Sequence, residues 1–125
     1  MSRPRLIELI FGIATAAAQV IVVVILFVRY FSIEHWFDEI LGSVLFLLPA
    51  LIVFVGSYVH VVNGKGYGRV MLGFGALFMG ALGLVGFLFG GFVYAYGLAL
   101  AIAILVPDAT ALVSFVASLF VDIDR

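Results

Sequence analysis

The sequence predicts an all-α, polytopic integral membrane protein with four transmembrane helices in an antiparallel bundle, and three observations lead there. Of its 125 residues, 66% are apolar and 10% charged, against about 45–50% and about 25% in a soluble domain. The apolar residues fall into four blocks, each near the ~20 residues that a spanning helix requires. Lysines and arginines collect at alternate ends of those blocks, as the positive-inside rule demands. A soluble fold of this size leaves much side-chain surface wet, so lipid or other membrane subunits must serve as solvent for such a composition.

The spans are expected at 6–28, 40–61, 69–90 and 98–120, in a single membrane domain covering 1–125. At about 1.5 Å per residue, each crosses a hydrocarbon core of roughly 30 Å. The first begins like a cleavable secretory signal: Arg3 and Arg5 precede an apolar run that reaches the small residues Ala14 to Ala18. The run then continues from Val20 to Val28, which makes a spanning helix the expectation. The break from Arg29 to Glu39 mixes Glu34, His35, Asp38 and Glu39 with Trp36 and Phe37, a composition suited to the headgroup layer. Between the second and third spans, Asn63 to Gly68 reads as a tight glycine-rich turn between helices. The last break has two turn signals, Gly90-Gly91 and Tyr94 to Gly97, and its Phe92, Tyr94 and Tyr96 form an interfacial belt. Arg3, Arg5, Lys65, Arg69 and Arg125 share one side and Arg29 lies on the other, so both termini are expected in the cytoplasm. A bacterial inner (plasma) membrane fits that bias.

Asp108 is the most informative residue for function. An acidic side chain near the middle of a span costs about 2.5–3.5 kcal/mol on insertion scales, so such residues face a bundle interior, a wet cavity or a partner. Pro107 beside it lacks an amide proton and leaves the carbonyl of Ala103 without its helical donor. Asp108 and Gln19 are therefore the candidate ion or proton site, weighed against a plain interhelical hydrogen bond that fixes packing. Pro49 should bend the second span in the same way, freeing the carbonyl of Leu45.

Small residues mark candidate packing faces. Gly73, Ala76, Gly80 and Gly83 recur at helical spacing, and Gly86 with Gly90 forms a GxxxG pair, so this face of the third span is expected to meet another helix. Gly12, Thr15, Ala16 and Gln19 form a similar face on the first span and are the expected partner. In the fourth, Thr110, Ser114 and Ser118 recur every four residues and can hydrogen-bond locally or across helices.

Other classes are disfavoured. A net charge of −1 gives no general attraction to nucleic acid. Without cysteine there is no thiolate metal site or redox motif. His35 and His60 fall at opposite ends of the second span and cannot clamp one haem, and no cofactor or metal is expected. His60 is read as an interfacial side chain, and Glu8 as reaching back to the interface or pairing with a cytoplasmic arginine. Lys65 and Arg69 are expected on lipid headgroups. No enzymatic constellation is present. The expected function is that of an accessory or structural subunit, packing against lipids and against other transmembrane subunits or copies of itself. The alternative is a small oligomeric channel or a proton- or cation-coupled transporter using Asp108.

Overall fold

A computed structural model describes residues 3–30, 33–88 and 97–121. Its elements are α1 (Arg3–Tyr30), a single 3-10 turn (Ile33–His35), α2 (Trp36–Val61), α3 (Tyr67–Leu88) and α4 (Leu98–Ser118). All four helices are long and apolar enough to cross a membrane. The expected break from Arg29 to Glu39 is shorter than its composition suggests, because α1 runs to Tyr30 and α2 starts at Trp36. Asp38 and Glu39 thereby fall in the first turn of α2, where carboxylates complement the positive end of the helix dipole. The expected end of the third span, including Gly90, and most of the last break lie outside the described residues. Gly97 opens α4 at φ +87° and Gly64 turns the α2–α3 connection at φ +67°, a left-handed backbone that glycine adopts without strain.

The helices form a ring in chain order. α1 packs on α2 and α4, and α3 packs on α2 and α4, while α1 and α3 lie diagonally apart with no close backbone approach between their described residues. The small face of α1 therefore does not partner the stripe on α3, as its composition led one to expect. A β-carbon on Gly12 would collide with the Ser57 hydroxyl of α2, with Ser114 Oγ of α4 at 3.6 Å.

The closest seam joins α2 to α3. A β-carbon on Gly56 would sit 2.6 Å from the Leu72 backbone nitrogen, and one on Gly68 would sit 2.5 Å from that of His60. Both obstacles are main chain and cannot rotate aside, so the two helices approach this closely only where the side chain is absent. On the expected α3 stripe, a β-carbon on Gly73 would meet the ring of Phe115 and one on Gly83 the carboxyl of Asp108, whereas one on Gly80 would meet nothing within 4 Å among the described residues.

Two apolar clusters hold the ring together. Ala50, Val53, Leu72, Ala76, Met79 and Ala111, with Phe115 against them, fill the space among α2, α3 and α4. Val22, Leu26 and Ile104, with Phe46 and Leu100, close the end where α1 finishes and α4 starts. Large apolar side chains such as Val70, Phe74, Leu77 and Leu88 are at least 70% exposed on the outside of the bundle.

Candidate functional site

The inward face of α1 is where the chain departs from an ordinary core. Its buried residues are Glu8, Gly12, Thr15, Gln19, Val22, Val23 and Leu26, and apart from Val23 their spacing alternates between four and three, which keeps them on one stripe of the helix. The first four are polar or lack a side chain, and only the last three are aliphatic. Polar groups from α2 and α4 meet this stripe layer by layer.

The first layer is a carboxylate–imidazole pair. Glu8 and His60 are both 0% exposed, and His60 Nδ1 lies 2.9 Å from Oε1 and 2.8 Å from Oε2 of Glu8. Glu8 therefore does not reach back to the interface, nor does His60 face lipid phosphate. The helix periodicity aims Glu8 inward, and the glycine seam draws the end of α2 under cover. Each group gives the other a hydrogen-bond partner, which is how a buried ionisable side chain is tolerated in an apolar surround. Arg69 and Arg5 act on the same carboxylate through their charge. Arg69 is half-buried, and its Nη2 donates to the Val121 carbonyl at 2.6 Å, tying the start of α3 to the chain just past α4. Lys65 is exposed in the α2–α3 connection.

Serines make the second layer. Ser114 Oγ donates to the Glu8 backbone carbonyl at 2.8 Å, and Ser57 Oγ donates to the carbonyl of Phe54 at 2.9 Å. Gly12 leaves room for the Ser57 hydroxyl.

The third layer is a pair of threonines, with Thr15 Oγ1 and Thr110 Oγ1 2.8 Å apart. Thr15 Oγ1 is also 2.7 Å from the carbonyl of Phe11, and Thr110 Oγ1 is 2.9 Å from that of Pro107. Two hydroxyl protons thus serve three contacts, because each hydroxyl has only one proton to give. Either Thr110 donates to Thr15 and Thr15 to Phe11, or Thr15 donates to Thr110 and Thr110 to Pro107. The two arrangements differ only in the direction in which the hydroxyls point.

Gln19 and Asp108 form the fourth layer. Gln19 is 4% exposed, and its Nε2 donates to the Phe46 carbonyl at 2.8 Å. That carbonyl only accepts, which fixes the amide orientation and leaves Oε1 buried without a hydrogen-bond partner among the described residues. Gln19 and Asp108 line a common cavity of about 10 Å³ with Phe46, Pro49, Met79, Leu82, Gly83 and Ile104. Beyond it, Val22, Leu26 and Ile104 end the file in an apolar plug. On the far side of the plug, a pocket of about 210 Å³ is lined by Asp38, Glu39 and Ser43 together with Val23, Leu26 and Phe46.

The structure therefore brings Asp108 and Gln19, singled out in the sequence, to one cavity, and adds Glu8 and His60 at the other end of the file. The sequence does carry a signal for Glu8: it stands four residues before Gly12, on the stripe that Gly12, Thr15 and Gln19 already define. Nothing in the spacing of α2 pairs His60 with it, since the two are 52 residues apart. The packing residues of α3 separate: Gly73, Ala76 and Gly83 are buried, Gly80 and Gly86 only partly so. Among the described residues, no group of three or more histidine, cysteine or acidic side chains is arranged to hold a metal ion.

The chain matches no family model, no curated protein and no solved structure in comparisons with each.

Proposed function

We propose that the chain is an integral membrane protein whose four helices cross the bilayer as an antiparallel bundle with both termini in the cytoplasm, and that it conducts or couples protons along its own interior. The observation that carries this reading is the fully buried Glu8–His60 pair at one end of a row of buried polar side chains, with the threonine pair in the middle and Gln19 and Asp108 at the other end. A bundle required only to pack could fill these positions with Ala and Leu. An acidic group inside a span costs about 2.5–3.5 kcal/mol, and such groups mark ion and proton pathways by default. The layers are also the right kind for a relay: a carboxyl and an imidazole can each take up and release a proton, and the threonine pair holds its protons in either direction. By the positive-inside bias, Glu8 and His60 lie toward the cytoplasm and the Asp38–Glu39 pocket toward the opposite side, a topology that suits a bacterial inner membrane. The apolar plug between Gln19 and that pocket is then the gate.

The test is proton entry into liposomes that contain the purified protein and an internal pH-sensitive dye, driven by an imposed membrane potential. Wild-type protein is expected to acidify the lumen, and Glu8→Gln to slow this by roughly a hundredfold or more. Wild-type vesicles that hold their gradient as well as protein-free ones would overturn the reading.

A second reading is favoured by a different feature. Between α3 and α4 an outward-facing groove of about 500 Å³ is lined by Leu77, Gly80, Leu84, Leu105 and Leu112, with Asp108 at its edge. Small residues on an open helix face allow another helix to approach, which supports an accessory or structural subunit of a larger complex or a homo-oligomer. A particle extracted in native lipid with other polypeptides in fixed ratio would support it over a proton path held by one chain.

A further inference from the structure

The Gln19–Asp108 cavity is lined by all four helices, and its polar side chains are the Gln19 amide and the Asp108 carboxyl. Gln19 Oε1 is buried without a hydrogen-bond partner among the described residues. Its own amide nitrogen cannot help, because it is committed to the Phe46 carbonyl. Asp108 lines the same space from α4, and a β-carbon on Gly83 would collide with its Oδ2, so glycine at that position is what admits the carboxyl. Leaving a buried acceptor unmade costs about 1–3 kcal/mol, and the surrounding Phe46, Met79, Leu82 and Ile104 offer no donor.

Size and chemistry select the occupant. The cavity volume is about 10 Å³, close to the roughly 10–15 Å³ that one water requires. A hard cation takes about six to eight oxygen ligands, whereas only two of the lining side chains carry oxygen. A water needs as few as two polar partners. We propose that this cavity is a binding site for a single water, which donates one hydrogen bond to Gln19 Oε1 and exchanges the other with the Asp108 carboxyl. Resting on the proton-path reading for its role, the water is the station that joins Asp108 to the file, directly beneath the Val22–Leu26–Ile104 plug. The donor that Gln19 lacks and the carboxyl that Asp108 brings are thereby satisfied together.

The experiment is infrared spectroscopy of the protein in lipid, compared between ordinary and heavy-oxygen water. A confined water gives an O–H stretch, distinct from bulk, that shifts on exchange. That band is expected in the wild type and in Glu8→Gln, and is expected to be lost in Gln19→Met and in Asp108→Leu, two variants that each remove one polar partner of the water. The same band in wild type and in both cavity variants would overturn the site. So would displacement of the band by added sodium or lithium, which would identify a cation site instead. A Glu8→Gln protein with unchanged proton entry would instead overturn the proton path and leave the water site standing, so the two failures are distinguishable.

Discussion

Removing one half of the Glu8–His60 pair should cost far more than removing both. Both side chains are 0% exposed and the contact is 2.8 Å, so Glu8→Leu strands an imidazole in a dry site and His60→Leu strands a carboxyl. Each single change is expected to destabilise the bundle by about 3–5 kcal/mol, the cost of breaking a buried pair from one side. The double variant Glu8→Leu with His60→Leu removes both desolvated groups and fills the space with aliphatic carbon, which in other buried pairs is neutral or stabilising by about 1–4 kcal/mol. Ser114 does not confuse the comparison, because it donates to the backbone carbonyl of Glu8, which every variant keeps. Arg69 does contribute, since its charge acts on the Glu8 carboxylate, and for that reason the double variant is placed within about 2 kcal/mol of wild type rather than above it. The coupling energy should then be at least about 4 kcal/mol, above the roughly 0.5–3 kcal/mol usual for residues in contact. Detergent-induced unfolding in mixed micelles, followed by far-ultraviolet circular dichroism, measures all four corners of the cycle. Simple additivity, with the double variant as unstable as the sum of the singles, would refute the reasoning and mean that the two groups do not compensate each other.

Two further outcomes follow from the geometry. Gly68→Ala is expected to destabilise by at least about 1–3 kcal/mol, because its β-carbon meets main chain at 2.5 Å. Gly80→Ala, which meets nothing within 4 Å, should be neutral or stabilising by about 0.4–1 kcal/mol, the usual gain from a stiffer unfolded chain; equal effects of the two changes in the same unfolding assay would show that the seam is misplaced. Thr15→Val removes one of the two protons shared by three contacts and should slow proton entry into liposomes while costing only about 0.5–1.5 kcal/mol of stability; unchanged entry would take the threonine pair out of the path.

Composition and hydropathy alone determined that the chain is all-helical with four helices of spanning length, because crossing a bilayer is a demand on every residue of a segment and is legible one segment at a time. They also singled out Asp108 and Gln19, since a polar group in the middle of an apolar block stands out wherever its neighbours sit. Helix partners were not legible. The small faces of α1 and α3 look complementary as strings, yet the ring order sets α1 against α2 and α4 and leaves α3 diagonal to it. The tightest seam uses Gly56 and Gly68, which belong to no extended stripe in the sequence. Glu8 and His60 each stand near the end of a span, where either could as well face water. Only tertiary structure decided that both turn inward, because the direction of a side chain near a helix end depends on which neighbour the helix leans against, and that is a property of pairs of segments rather than of any one.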